Sequence, residues 1–260
     1  MRLETISVCM ATYNGSKYLT DQINSIINQL IDGDEFIIID DCSTDSTLSI
    51  LKSIEDSRIK VIANKVNLGV NKSFEKAIAS SKNEFIFMAD QDDIWPENRA
   101  KKMLEILKGN DINLVSGNSR FIDSDGNDLD YPIIALKEYE SRKTSKNLFR
   151  IFLGTGAYSG CAMAFKRELL SAILPFPNYI ESHDLWIAKA SILQKKSYHL
   201  EDIVLYRRIH GRNASIIKRP LIMKIRSRFI FLMSILDLIF RNMHNRKLLR
   251  NDNVFLGKSN

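Results

Sequence analysis

The chain has 260 residues, of which 45% are hydrophobic and 26% are charged. This balance is typical of a globular protein with one large or two small cores, and it excludes a mainly disordered chain. No apolar run reaches the roughly 18 residues that a membrane-spanning helix needs. Arg2 and Glu4 interrupt the start, and the three cysteines (Cys9, Cys42, Cys161) form no CxxC pair. We therefore expect a cytoplasmic protein with reduced thiols.

The net charge of +6 is unevenly distributed. Residues 218–250 contain nine basic side chains and one acid, so the rest of the chain carries about −2. Within this segment, Phe229 to Phe240 is apolar apart from Ser234 and Asp237. A short apolar stretch with basic flanks predicts a helix on an anionic membrane surface, on the inner face of the plasma membrane. Packing on the rest of the chain and an oligomer contact are the alternatives, and nucleic-acid binding is disfavoured because no recognition motif is present.

Strand and helix patterns alternate along the first 120 residues. Short apolar runs predict buried strands at Ile6–Met10, Phe36–Ile39, Val61–Ile62 and Phe85–Ala89. Spaced apolar positions predict a helix that begins near Ser16 and another over Glu97–Lys108. A run of N-cap residue types predicts a helix from Thr47, and the turn Asn67-Leu68-Gly69 predicts one from Lys72. This order predicts an α/β, Rossmann-like fold with a mostly parallel central sheet and helices on both faces.

The second half has a weaker pattern. Strands are predicted at Asn113–Ser119 and Cys161–Phe165, with helices from Lys166 and over Leu185–Leu193. Asp123–Asn127 fails the test for a calcium loop, because Asp128 and Ile134 occupy the positions that need Gly and Glu. A hairpin turn with Gly126 at positive φ is the better interpretation. Residues 131–150 have little pattern and are predicted to form a mobile flap.

Polar side chains follow four predicted strands where each strand ends. They are Thr12-Tyr13-Asn14, Asp40-Asp41, Asn67, and Asp90 to Asp93. In an open parallel sheet these positions meet in one crevice. Three carboxylates at the end of a buried strand repel one another, and this predicts a shared hard cation such as Mg²⁺ or Mn²⁺. Capping of the helix that begins at Pro96 is the alternative, but it needs only one Asp.

These motifs, read in order, resemble those of the family 2 glycosyltransferases. The matching stretches are Ile6 to Asn14, Ile39 to Asp45, Asn67-Leu68-Gly69 and Ala89 to Asp93. The resemblance is strong over 5–119 and looser over 154–215, and DQDDIW is similar to rhamnosyltransferase-like members that build bacterial surface polysaccharides. It implies an inverting enzyme with the A-type fold that binds a nucleotide-diphospho-sugar.

The resemblance also implies roles for individual residues. Asp41 would accept N3–H of uracil or thymine, and Asp90 would contact the ribose or the waters of the metal. Asp92 would hold the metal, with Asp93 beside it. The other donor-binding or metal-binding candidates are Thr12, Tyr13, Asn14, Asn67, Gly69, Arg208 and His210. For Asp40, capping of the next helix is as good an interpretation as ligand contact.

Asp184 matches the family's catalytic base, which takes the proton from the acceptor hydroxyl. Glu181 is the reserve candidate, and helix capping by Ser182 or Asp184 is the structural alternative. The glycines from Gly154 to Gly160 resemble a wall of the sugar and acceptor pocket. Arg207 is interpreted as a surface charge.

The sequence therefore predicts a metal-dependent inverting glycosyltransferase. Its donor would be a dTDP- or UDP-sugar, with dTDP-L-rhamnose a candidate, and its acceptor a glycan or a lipid-linked glycan. Residues 1–217 would form the catalytic domain, with a donor half (1–119) and an acceptor half (120–217), and residues 218–260 a basic amphipathic helical region. A nucleotidyltransferase is the alternative, although ATYNGSK lacks its usual basic, glycine-rich loop. A non-catalytic membrane-surface scaffold is the other alternative.

Overall fold

The computed structural model describes residues 2–132, 134–211 and 220–256, with side chains up to residue 245. The strands are β1 (Ile6–Thr12), β2 (Glu35–Asp40), β3 (Ile59–Ala63), β4 (Phe85–Ala89), β5 (Leu114–Ile122), β6 (Asp128–Leu129), β7 (Met163–Lys166) and β8 (Ser197–Arg208). The α-helices are α1 (Leu19–Ile27), α2 (Thr47–Lys52), α3 (Val70–Ser80), α4 (Arg99–Leu107), α5 (Thr144–Leu153), α6 (Leu170–Ile173), α7 (His183–Gln194) and α8 (Leu221–Leu256).

The eight strands form one mixed sheet in the order β3-β2-β1-β4-β7-β5-β6, and β8 pairs with β5. Parallel pairing joins β1 to β2 and β4, and β2 to β3. β7 runs antiparallel between β4 and β5. The carboxyl ends of β1, β2 and β4 therefore lie at one edge, where open sheets of this kind bind ligands.

Alternate residues of the central strands enter two separate cores, because side chains in a strand point to opposite faces in turn. Val8, Phe36 and Phe87 pack in one core with α1 and α4. Cys9 and Ile37 pack in the other core with α3 and α7. The predicted α/β architecture, with helices on both faces of the sheet, is confirmed.

Helix α8 packs on the domain through one of its faces. Leu238 is buried in the second core, and Tyr179 donates a hydrogen bond to Asp237 at 2.8 Å. The Arg241 guanidinium donates to the carbonyl of Leu174 at 3.2 Å and lies over the Trp186 ring. Among the described residues, no helix is long and apolar enough to cross a membrane. This face of α8 therefore packs on the rest of the chain, which was one of the alternatives to membrane binding.

Two segments differ from the sequence-based prediction. The prediction of a mobile flap is wrong over α5, because Asn147 and Ile151 of this helix are buried. Lys146 and Arg150 of the same helix form ion pairs with Glu140. Strand β8 was not predicted, because exposed Glu201 breaks its apolar pattern. The hairpin turn before β6 is confirmed, since β5 and β6 pair antiparallel and Gly126 has φ 93°.

Candidate active site

The loops after β1 and β4 are joined by one side chain, Gln91. Its Oε1 accepts from the Tyr13 amide at 2.8 Å, and its Nε2 donates to the Tyr13 carbonyl at 3.2 Å. A Cβ added at Gly15 would lie 2.2 Å from Gln91 Oε1, so a larger residue there would displace this amide. Asn14 Oδ1 accepts from the Thr44 amide at 2.8 Å, which adds the β2 loop. The predicted gathering of these loops at one edge is observed.

Asp41 organises the loop that carries Asn67 and Gly69. Its Oδ1 accepts from Asn64 Nδ2 and from the Leu68 amide, and its Oδ2 accepts from the Gly69 amide, each at 2.8 Å. Burial raises the pKa of this carboxyl, but these hydrogen bonds outweigh burial and hold the pKa below its ordinary value. The predicted contact with a base must therefore use the remaining acceptor capacity of Oδ2, and it stays a prediction.

Asp40 does not cap the next helix, because Ser46 is at the N-cap of α2; Asp40 instead stabilises the loop after β2. Its Oδ2 accepts from the Ser43 amide at 3.1 Å, and its Oδ1 accepts from the Thr12 hydroxyl at 3.3 Å. Thr12 is buried, whereas the Tyr13 ring is 47% exposed. Among the β1 and β2 loop residues named here, Tyr13 thus has the exposed aromatic face that a base can stack on.

The acids after β4 are crowded and partly buried. Ligand atoms of Asp90, Asp93 and Cys161 lie within 4.8 Å of one another. Burial and repulsion from Asp92 raise the pKa of Asp90 to about 6, and the same two causes raise that of Asp93 to about 8. Asp93 Oδ1 accepts from the Arg208 amide at 3.0 Å, while its buried Oδ2 has no partner among the described residues.

These acids fit a hard divalent cation, although the grouping differs from the prediction. Asp92 Oδ2 lies 2.8 Å from His210 Nε2, so these two predicted ligands form a pair, whereas Asp90 clusters with Asp93. Burial raises the pKa of the Cys161 thiol well above its ordinary value, which makes it a poor ligand for a hard ion. Crowded carboxylates and an unpartnered oxygen suit Mg²⁺ or Mn²⁺. Asp90, Asp92 and Asp93 would hold the ion.

The two arginines at the end of β8 have opposite surroundings. Arg208 is buried, and its guanidinium donates to the carbonyls of Asp92 and Ser124 at 3.1 Å and lies 4.6 Å from the centre of the Tyr18 ring. These contacts hold the acidic loop in place. The predicted contact of Arg208 with a diphosphate is not tested.

The interpretation of Arg207 as a surface charge is wrong. Burial opposes its charge, but the neighbouring Cys161, Asp93, Asp90 and Asp184 outweigh burial and raise its pKa. Adjacent side chains of a strand point to opposite faces of the sheet. Had β8 been predicted, Arg207 and Arg208 would therefore have been assigned to different faces.

Arg99 is a second cation that the sequence pattern did not reveal. It is buried at the start of α4, stacks on the Trp95 ring at 4.1 Å, and donates to the carbonyl of Cys161 at 2.6 Å. Burial lowers its pKa to about 9, opposed by Cys161, Asp93 and Asp90. Arg99 therefore places a positive charge beneath the acidic cluster.

Asp184 lies in the first turn of α7, where the helix dipole favours a negative charge. Capping belongs to Ser182, whose Oγ accepts from the Leu185 amide at 3.4 Å; Asp184 Oδ1 shares this amide at 2.7 Å. The charge of Asp184 contributes to the raised pKa of Asp90, so both acids belong to one electrostatic site. Glu181, the reserve candidate, accepts instead from Ser227 of α8 at 2.8 Å.

His183 and Gly160 fix the start of α7. The His183 amide donates to Asn71 Oδ1 at 3.0 Å, and its ring stacks on Phe74 with centroids 4.1 Å apart. Its Nε2 is buried without a partner among the described residues. A Cβ at Gly160 would lie 2.9 Å from this nitrogen and 3.2 Å from the Cβ of Asp184. The absence of a side chain at Gly160 thus sets the position of Asp184.

A pocket of about 330 Å³ extends to Arg207, and the acids do not line it. Gly154, Gly156 and Ser159 form one wall, Phe121 and Tyr131 stack in another, and Arg207 lines it as well. The glycine segment predicted to border the sugar and acceptor is therefore at a pocket wall. Its contact with a substrate stays a prediction.

The chain matches the model of Glycosyl transferase family 2 over residues 7–174. It therefore belongs to this family. It is 28% identical over 184 residues to the Escherichia coli protein UDP-Glc:alpha-D-GlcNAc-diphosphoundecaprenol beta-1,3-glucosyltransferase WfgD, covering 70% of this chain and 68% of the relative. It is 31% identical over 169 residues to the dTDP-rhamnosyl transferase RfbG of Shigella flexneri, covering 62% and 55%. The chain spans about two thirds or less of the length of the first curated relatives that it matches.

Two solved structures have the same fold. TarS 1-349 of S. aureus in complex with UDP-GlcNAc has a TM-score of 0.71 at 20% identity, covering 89% of this chain and 66% of TarS. The mannosyltransferase PcManGT from Pyrobaculum calidifontis, in complex with GDP-Man and Mn²⁺, has a TM-score of 0.60 at 16% identity, covering 96% and 79%. At these identities the similarity shows the fold alone, and this is the predicted A-type fold.

Proposed function

We propose that the chain is a metal-dependent inverting glycosyltransferase of bacterial surface-glycan synthesis. It would move a sugar from a UDP- or dTDP-sugar to a glycan or lipid-linked acceptor, and dTDP-L-rhamnose is one candidate donor. The observation that carries the proposal is the cluster of Asp90, Asp93 and Cys161 at the carboxyl edge of the sheet, with Gly160, the neighbour of Cys161, against Asp184. Family membership supports the class of reaction.

The donor would lie across the loops after β1, β2 and β4. Tyr13 stacks on the base, and Asp41 and Asn67 present oxygen atoms to it from the next loop. Names of two relatives support the choice of nucleotide, since one is a UDP-Glc enzyme and the other a dTDP-rhamnosyl transferase. Cytosine lacks the N3–H that a carboxylate at position 41 would accept.

Arg207 takes the role of the diphosphate-binding cation, and Arg208 instead holds the acidic loop that Arg207 faces. Negative charge accumulates on the diphosphate as the bond to the anomeric carbon breaks. A divalent cation held by Asp90, Asp92 and Asp93 would supply Lewis-acid stabilisation of that charge. Arg207 adds a fixed positive charge, and partial burial strengthens its effect.

Asp184 acts as the general base. The acceptor oxygen attacks the anomeric carbon opposite the diphosphate, and its proton passes to the Asp184 carboxylate while the nucleoside diphosphate leaves. Displacement from the opposite side inverts the anomeric configuration. His183 and Gly160 act as positioning residues for this carboxylate.

A nucleotide-sugar panel tests the proposal. In the presence of Mn²⁺, a UDP- or dTDP-sugar should raise the temperature of thermal unfolding, and a nucleoside triphosphate should not. A ligand that binds only the folded state stabilises that state. Asp92→Ala should lose the metal-dependent part of this shift, whereas Asp184→Asn should keep the shift and lose transfer. Stabilisation by nucleoside triphosphates alone would support a nucleotidyltransferase, and full transfer by Asp184→Asn would refute the assignment of the base.

A further inference from the structure

Helix α8 is apolar on two opposite faces, and only one of them is covered. Ile230, Ser234 and Leu238 are buried at intervals of four residues and face the domain. A second stripe is exposed, with each side chain between 42% and 69% accessible: Ile225, Phe229, Leu232, Leu236, Ile239 and Met243. We call these six residues the outer stripe. They follow helical spacing from Ile225 to Met243, and the 18 residue steps between these two span about 27 Å of helix.

The charges around the outer stripe are of one sign. In residues 221–245 the only acid is Asp237, which pairs with Arg241 at 2.9 Å on the covered side. Lys224 and Arg226 are exposed near the start of the stripe. An apolar surface this long is rarely left exposed without a partner. The outer stripe of a second copy would offer no acid to these cations, whereas anionic lipid headgroups would pair with them.

The start of α8, which carries the outer stripe, contacts the segment just before the candidate base. Ser227 of α8 donates to Glu181 at 2.8 Å, and Glu181 lies three residues before Asp184. Helix α5 extends the apolar surface, because the rings of Phe152 and Phe231 meet at 5.4 Å and Phe149 is exposed next to them. A surface that docks on this side would therefore lie near the start of α7.

We propose that the outer stripe, together with Lys224 and Arg226, binds an anionic membrane surface. The helix lies in the plane of the headgroups, with its covered face still packed on α6 and α7. The membrane then presents a lipid-linked acceptor on the side where α7 begins. This last step rests on the proposed function, but binding to the membrane does not.

Co-sedimentation of the full chain with vesicles tests the surface. The vesicles contain phosphatidylcholine with about one third phosphatidylglycerol, and a second set contains phosphatidylcholine alone; the parent should bind the anionic set more tightly, and salt should weaken that binding. Phe229→Glu/Leu236→Glu, and separately Lys224→Glu/Arg226→Glu, should each reduce binding at least about tenfold.

A matched control adds the same charges elsewhere. Leu3→Glu/Tyr139→Glu changes two exposed apolar side chains that lie outside α8, and it should bind vesicles like the parent. Parent-like vesicle binding by Phe229→Glu/Leu236→Glu would overturn the proposal. A second pair of results would also overturn it: sedimentation velocity shows that the parent is a dimer and this variant a monomer, and neither protein binds vesicles. The outer stripe would then be the contact with a second copy.

The two proposals fail in different assays. The thermal shift with UDP and Mn²⁺ reports the donor site and needs no membrane, so both α8 variants and the Leu3→Glu/Tyr139→Glu control should keep it if their folds are intact. Loss of vesicle binding with a retained shift supports the outer stripe. Vesicle binding by a parent that shows no shift with any nucleotide-sugar would refute the proposed donor and leave the membrane surface supported.

Discussion

Replacement of Gly160 by alanine tests whether a single missing side chain positions the candidate base. The new Cβ would lie 2.9 Å from His183 Nε2 and 3.2 Å from Asp184 Cβ. Carbon contacts of this kind are comfortable near about 3.5 Å, so the two groups must retreat by a few tenths of an ångström. The His183 ring has little room to yield, because it stacks on Phe74 at 4.1 Å and is hydrogen-bonded to Asn71.

The displacement should therefore pass to the first turn of α7. A misplacement of about 1 Å at a catalytic group can cost about a hundredfold in rate, so a shift of a few tenths of an ångström should cost less. We expect Gly160→Ala to lower kcat by about 3- to 10-fold, with about 1–3 kcal/mol lost in the free energy of unfolding from overpacking. The affinity for the donor should not change, because the added Cβ would meet His183 and Asp184 rather than Tyr13 or Asp41.

Transfer rates, donor binding by thermal shift, and unfolding in denaturant would be measured together. Gly109→Ala is the matched control, since its Cβ would meet the Ile106 carbonyl at 3.2 Å just beyond α4. This contact is as short as the one with Asp184 Cβ but lies away from α7, so Gly109→Ala should keep kcat. A Gly160→Ala enzyme with kcat within twofold of the parent would refute this account of how the base is held, as would an equal loss in the control.

Three further predictions concern buried charge, phosphate binding and packing. Lys189→Met should raise the free energy of unfolding at pH 7 by up to about 3 kcal/mol, because burial lowers the pKa of Lys189 to about 8; chemical unfolding would measure it. Arg207→Gln should raise the KM for the donor about tenfold, whereas Arg208→Gln should mainly lower Tm. Gly117→Ala should cost about 1–3 kcal/mol, because its Cβ would lie 2.5 Å from a Val204 methyl carbon.

Each of these predictions has its own control. The gain from Lys189→Met should disappear above about pH 10.5, since the folded state disfavours the charged lysine and the penalty ends once the unfolded chain is also neutral. A gain that does not change with pH would mean packing rather than charge. Equal effects of the two arginine changes on KM would contradict their separate roles. Val204→Ala, added to Gly117→Ala, should recover part of the lost stability; no recovery would rule out the clash.

The sequence predicted the donor side of this protein well, for a physical reason. Each of the first four strands is a short apolar run, and polar residues follow it directly, so strand ends and loops are both visible in the pattern. Parallel pairing then brings Asn14, Asp41 and Asp90 to the same edge without further information.

The acceptor side was harder to predict, because its strands pair over long distances with irregular register. β8 joins β5 through two register shifts near Asn118, and its exposed Glu201 hides the strand pattern. Without that strand, nothing separates the environment of Arg207 from that of Arg208. The buried anchor Glu140 likewise looks like a solvated charge until Lys146 and Arg150 are seen around it.

By itself, the sequence determined the α/β order, the acids after β4 and the family to which the chain belongs. Only the tertiary structure decided which acids lie together, that Ser182 caps α7, and which face of α8 remains uncovered. The first group depends on residues that are neighbours along the chain, where periodicity and strand ends record the outcome. The second depends on contacts between residues up to about a hundred positions apart, which packing of the whole chain alone determines.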